Sequence, residues 1–155
     1  MIYKALVKTK IGTIGIVEEG QLLTHVFFQS GKHPEGAIEK WTPFLRGVAE
    51  EIKEYLDGKR TKFDIPLQLC GTDFQRSVWN ALLTIPYGET RSYQDIAKQI
   101  GNAKACRAVG MANHRNPIVI IVPCHRVIGA DGSLTGFGGG LELKQQLLEL
   151  ERLRR

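Results

Sequence analysis

Apolar and polar positions alternate along the first part of the chain. Ile2 to Val7, Thr13 to Val17 and Leu22 to Phe28 each fit a strand, and Lys10-Ile11-Gly12 and Glu18-Glu19-Gly20-Gln21 fit the turns between them. The pattern predicts a three-stranded meander. Gln29 to Lys40, with Gly31, Pro34 and Gly36, reads as a loop. The period then becomes helical. Thr42-Pro43 is an N-cap followed by proline in the first turn. Phe44, Leu45, Val48, Ile52, Tyr55 and Leu56 follow on one face, and Gly58 ends the helix. Residues 59–71 carry Lys59, Arg60, Lys62, Pro66 and Gly71 and mark a boundary between parts 1–70 and 71–155.

The second part reads as mostly helical. Thr72-Asp-Phe-Gln75 fits a capping box, and Phe74, Val78, Trp79 and Leu82 line a helix running to about Ile85. Pro86-Tyr87-Gly88 is a turn. Ser92 caps a helix from about Tyr93 to Ile100, Gly101 to Lys104 is a tight connection, and a further helix runs from Ala105 to about His114. Two short helices around a glycine-containing turn match a helix-turn-helix. The branched run Ile118 to Val122 reads as buried, extended backbone. A last helix runs from about Leu141 to Leu153, with Leu143, Leu147, Leu148 and Leu150 as its apolar face.

No apolar run is long enough to span a membrane, and the N-terminus lacks the regions of a secretory signal, so the expected location is the cytoplasm. Cys70, Cys106 and Cys124 are too few and too far apart for a disulfide framework or a zinc pattern. The net charge of +5 suits a polyanionic partner without requiring one.

The candidate chemistry lies at the end of the branched run, where Pro123 is followed by Cys124, His125 and Arg126. Positive neighbours lower a thiol pKa and raise the fraction of nucleophilic thiolate. A buried structural thiol is the alternative. In an extended segment adjacent side chains diverge, so a water is as good a link from Cys124 to His125 as a direct bond. Glu151 lies three and four residues after Leu148 and Leu147, at the edge of the buried stripe. It is either the carboxylate of a Cys–His–carboxylate relay or a solvated group in the charged tail. Ala105, Ala108 and Ala112 form a stripe of small residues that lets their helix approach a neighbouring helix or DNA. Arg107 lies beside the stripe, and Lys98, Lys104, His114 and Arg115 surround it. Gly136, Gly138, Gly139 and Gly140 around Phe137 form either a ligand-approaching loop or a flexible link.

Together these residues resemble the O6-alkylguanine-DNA alkyltransferases, or methylated-DNA–protein-cysteine methyltransferases. The resemblance rests on Ile121-Val-Pro-Cys-His-Arg-Val-Ile128, Ser92-Tyr-Gln-Asp-Ile-Ala97, Arg107-Ala-Val-Gly110, Asn116-Pro117 and Thr135-Gly-Phe-Gly-Gly-Gly-Leu141, and covers about 72 to 151. It implies a mixed α/β (α+β) chain. A small N-terminal sheet-plus-helix part would be ribonuclease-H-like, and a helical C-terminal part would be a winged-helix-like DNA-binding domain.

The resemblance also implies a function. Cys124 would take the alkyl group of O6-alkylguanine irreversibly, once per molecule, without metal or organic cofactor. His125, linked through a water, would be oriented by Glu151, and Asn116 would hold the active-site turn. The partner would be double-stranded DNA, bound by a monomer through the minor groove, with the target base flipped out of the stack. Arg107 would fill the vacated space, and Ala105, Ala108 and Ser92 would lie on the DNA side. Tyr93 would rotate the phosphate and donate to the base. Val127, Val119, Phe137 and Gly138 would form the substrate pocket. Phe137 and Gly138 stand where some relatives have tyrosine and serine, so no hydroxyl is available there. The zinc ligands of some relatives have no counterpart, since His25 and His33 lack nearby cysteines. A lesion-sensing module without transfer is the alternative, although such relatives lack the cysteine. A cysteine hydrolase would leave Arg107 and the helix-turn-helix unexplained. A regulator of transcription usually carries a further cysteine-rich domain.

Overall fold

The computed structural model describes residues 1–28, 34–134 and 140–153. It divides into two compact units, Met1–Leu69 and Cys70–Arg155.

The first unit contains the meander. Strands β1 (Ile2–Thr9), β2 (Gly12–Glu19) and β3 (Leu22–Phe28) pair antiparallel in sequence order. Gly20 and Gln21 both have positive φ, 59° and 62°, as a two-residue hairpin turn matched to strand twist requires. Ala5 faces Ile16 and Val7 faces Ile14 across the β1–β2 ladder, and all four are buried. Helix α1 (Pro43–Leu56) packs across β1 and β2 and buries Leu45, Val48, Ile52 and Leu56. It starts where Thr42 Oγ1 accepts from Leu45 N.

Two details differ from the expectation. Ile38–Glu39, read as loop, is a short strand β4 running parallel to β1 at the sheet edge. Two residues are too few to leave a periodic signal. Residues 66–68, read as part of the boundary, lie along β3: Leu23 N donates to Pro66 O and Gln68 N to Leu23 O, both at 2.9 Å.

The second unit is built on helices α2 (Asp73–Leu82), α3 (Tyr93–Gln99), α4 (Cys106–His114) and α5 (Leu141–Leu153). Capping boxes at Thr72/Gln75 and Ser92/Asp95 start α2 and α3. Strand β5 (Arg91–Ser92) pairs parallel with β6 (Val127–Ile128). Trp79 is buried in α2, and its Nε1 donates to Ala112 O at the inner side of α4 (2.8 Å).

The run 118–122 is buried at all but Val119, as expected, but it is not extended. It turns on itself, with Ile121 N donating to Val119 O and Val122 N to Ile118 O. Ile120 has φ of 73°, a left-handed conformation that is strained for a β-branched residue. The last helix also differs. Its buried line is Lys144, Leu147 and Glu151, spaced at three and four, while Leu143, Leu148 and Leu150 are only half-buried. Leu147 alone supplies apolar burial on that line, and two charged groups flank it.

Candidate active site

Pro123 leads into a single 3-10 turn, Cys124–Arg126, which turns all three side chains into the second unit. Cys124 is 3% exposed, and His125 is fully buried. Cys124 and His125 therefore sit on a turn and not on an extended segment whose adjacent side chains diverge.

Two asparagines hold this turn. Asn116 Nδ2 donates to Val122 O (2.7 Å), and Asn116 Oδ1 accepts from Ile118 N (3.0 Å). These bonds close the loop that carries the strained Ile120. Asn113, on the inner side of α4, donates from Nδ2 to Cys124 O (3.3 Å). Sequence reasoning had singled out Asn116 but not Asn113. The signal was the spacing of three, which puts both amides on one side of the α4 exit.

The carboxylate is Glu151, and it is 1% exposed rather than solvated in the tail. His125 Nε2 lies 2.7 Å from Glu151 Oε2. Arg126 forks onto the same group, with Nε 2.8 Å from Oε1 and Nη2 2.9 Å from Oε2, and Gly88 N donates to Oε1 at 3.3 Å. Burial works to raise the Glu151 pKa. The hydrogen bonds and charges of His125 and Arg126 overcome it and pull the carboxyl down to about 2. His125 is held below its ordinary value, chiefly by burial and against the pull of Glu151. At neutral pH the site therefore holds an anionic carboxylate, a guanidinium and a neutral imidazole. With its Nε2–H directed at Glu151, the imidazole has its lone pair on Nδ1.

The thiol contradicts the simple expectation from its neighbours. Burial pushes Cys124 up to about 11, beyond what the Asn116 side chain and the Lys144 charge recover. The adjacent Arg126 gives little help, because its charge faces Glu151. Lys144 had not been singled out. It is fully buried on α5, and its Nζ donates to Val127 O. It shares a helix face with Leu147 and Glu151, so the pattern 144, 147, 151 was the available signal.

Asn116, Cys124, His125 and Glu151 thus come together, joined by Arg126, Lys144 and Asn113. Val127 is buried in β6, and its carbonyl accepts from Lys144 Nζ. Val119 is half-buried. Phe137 and Gly138 lie outside the described residues, as does His33.

The helix-turn-helix residues form a separate surface of the same unit. Arg107, Ala108, Met111, His114 and Arg115 are exposed, and Ala105, at the N-cap of α4, is half-buried. The small stripe is divided, however. Ala112 belongs to the buried side with Val109 and Asn113. Tyr93 starts α3 and lies against α4, where a Cβ on Gly110 would stand 3.8 Å from its ring. The Ser92 hydroxyl accepts from Asp95 N (3.0 Å), so it serves the cap of α3.

A deep thiol beside an imidazole–carboxylate pair, next to a basic helix with an exposed arginine, is suited to nucleophilic chemistry on a group carried by a polyanion. Residues 2–69 match the 6-O-methylguanine DNA methyltransferase ribonuclease-like domain, and residues 73–153 match its DNA-binding domain. The chain is similar to the methylated-DNA–protein-cysteine methyltransferase of Mycobacterium tuberculosis, with 50% identity over 157 residues that cover 99% of this chain and 94% of the relative. The protein of that name from Methanosarcina acetivorans is 50% identical over 153 residues, covering 97% and 98%. The crystal structure of Mycobacterium tuberculosis OGT in complex with DNA has a TM-score of 0.93 at 48% identity, covering 98% of this chain and 94% of that one. The O6-methylguanine-DNA methyltransferase of Pyrococcus kodakaraensis shares the fold, with a TM-score of 0.70 at 23% identity. Matched in both of its units and half identical to relatives along nearly its whole length, the chain belongs to the 6-O-methylguanine DNA methyltransferase family.

Proposed function

We propose that Cys124 is the acceptor of the methyl group and that His125 and Glu151 serve its deprotonation. The activity is that of a methylated-DNA–protein-cysteine methyltransferase, which repairs O6-methylguanine in DNA. The observation that carries the residue-level reading is the His125–Glu151 pair, buried next to the thiol with the imidazole neutral.

The thiol rests protonated, so its proton leaves during the reaction rather than before it. The proton passes from Cys124 Sγ through a water to His125 Nδ1, and Glu151 stabilises the imidazolium that forms. Lys144 offers a positive charge to the developing thiolate. The sulfur then attacks the methyl carbon, a C–S bond forms, and the bond from carbon to guanine O6 breaks. Tyr93 donates a proton toward the departing base, so guanine leaves neutral, and His125 returns its proton to the tyrosine side through solvent. The thioether is stable, so each molecule reacts once.

DNA is the partner. The exposed basic surface of α4 supports this reading, as does the relative crystallised with DNA. Ala105 and Ala108 let the helix approach the minor groove, and Arg107 fills the space left by the flipped guanine. The chain acts as a cytoplasmic monomer in this reading. The test compares methyl transfer from an O6-methylguanine duplex with benzyl transfer from free O6-benzylguanine. Arg107→Ala is expected to slow the duplex reaction at least about tenfold, the few kcal/mol of unstacking being no longer offset. The free-base reaction should stay near the wild-type rate. Equal slowing of both would remove the role of Arg107, and no transfer by the wild type from either substrate would overturn the whole reading.

A further inference from the structure

The proposed reaction gives Arg126 no part, yet Arg126 is among the most fully engaged side chains of the site. Its Nε and Nη2 clamp both oxygens of Glu151, its Nη1 donates to Ile85 O (2.7 Å), and its guanidinium lies 5.7 Å from the centre of the Tyr87 ring. Its acidic partner is Glu151, within the second unit.

One carboxylate oxygen, Glu151 Oε2, meets both His125 Nε2 and Arg126 Nη2. The charge balance of the cluster then decides whether His125 carries a proton. With Arg126 present, the buried carboxylate is already neutralised, and the imidazole can stay uncharged. Without Arg126, the carboxylate would be a buried anion, and a proton on His125 would be the nearest compensation. A protonated His125 cannot accept the proton of Cys124.

We propose that Arg126 is a positioning residue for methyl transfer: by clamping and neutralising Glu151, it keeps His125 an unprotonated base with Nδ1 available to the thiol side. This rests on the reading of His125 as the proton acceptor. The other groups around His125 do not replace Arg126. Lys144, on α5, acts in the same direction on His125, but its ammonium is bonded to Val127 O. Cys124 rests neutral. Asp73 and Arg76 of α2 pair with each other at the surface, and His114 at the end of α4 is exposed.

The test is a 15N NMR titration of the histidine imidazoles together with the pH profile of methyl transfer. In the wild type, burial holds the His125 midpoint below that of an ordinary imidazole, so the ring is expected to be neutral at neutral pH. In Arg126→Met, its midpoint should rise by about one unit or more. Transfer should fall about tenfold for each pH unit below the new midpoint and recover above it. Arg126→Lys keeps the charge and should restore the wild-type profile, even at a lower maximum rate. Arg126→Gln, which keeps a hydrogen-bond donor without the charge, should reproduce the shift of the Met variant and covers the case in which that variant fails to fold. A His125 titration unchanged in both uncharged variants, or a rate lowered equally at every pH, would overturn the inference. A shifted titration in a protein whose wild type transfers no methyl would support the charge balance and refute the reaction reading instead.

Discussion

Cys124→Ala is expected to abolish methyl transfer while leaving affinity for an O6-methylguanine duplex within a few-fold of wild type. The sulfur sits in a turn whose backbone is fixed without it. Asn116 bonds Val122 O, Asn113 bonds Cys124 O, and the turn closes on Pro123 O through Arg126 N. None of these contacts uses the thiol. Removing one buried sulfur leaves a small void, worth on the order of 1 kcal/mol of stability. The exposed surface of α4 is untouched. The two remaining thiols are poorly placed to take over. Cys70 is exposed, and Cys106 Sγ donates to Gln94 Oε1 (2.9 Å), neither of them beside the His125–Glu151 pair. Transfer of a labelled methyl group and equilibrium binding to the same duplex check both halves of this expectation. Transfer retained in the variant would place the acceptor elsewhere.

Glu151→Ala is expected to have the largest effect on stability. It would leave the Arg126 guanidinium buried without its counter-ion and break the bond to His125 Nε2. Losing one partner of a buried ion pair costs about 3–5 kcal/mol. Urea unfolding at neutral pH reads this directly, and a variant within about 1 kcal/mol of wild type would show that the pair contributes little. The same carboxylate gives a pH signature. Its folded pKa of about 2 lies below the ordinary 4.5, so its contribution is complete above the unfolded value and lost as the pH falls toward 2. That depression corresponds to a contribution on the order of 3 kcal/mol. Wild-type stability should therefore fall between roughly pH 5 and pH 2 more steeply than that of Glu151→Gln, which has nothing to titrate there. Parallel acid slopes for the two proteins would contradict the assignment.

Much of the architecture was legible because it is local. Strand alternation, the Gly20-Gln21 turn and the Thr42, Thr72 and Ser92 caps each depend on a few neighbouring residues. Other features were not legible, for physical reasons that differ. Strand β4 pairs over only two residues, too short for a period. The run 118–122 has the composition of a strand, but Asn116 closes it into a turn and forces Ile120 to positive φ, a tertiary override of β propensity. Within the site, Cys124 and His125 stood out by their arrangement, and Asn116 by the family resemblance alone. Glu151 left two readings open, because a helix face tells which residues are neighbours but not how deep they lie. The burial of Arg126 and Lys144 was not legible, since burial of a charge depends on a partner far away in the chain: 25 positions separate Arg126 from Glu151. The thiol pKa was misjudged for a related reason. Sequence adjacency to an arginine says nothing about where that arginine spends its charge, and here it faces a carboxylate while burial dominates at the sulfur.

The central claim is that the methyl group ends on Cys124. The most direct test is intact mass of the protein after mixing with duplex DNA bearing one O6-methylguanine, followed by peptide mapping. The account predicts a single added methyl, formed once per molecule without added cofactor and located on the peptide that contains Cys124. A methyl on Cys70 or Cys106, or tight binding to the same duplex with no change in mass, would contradict it.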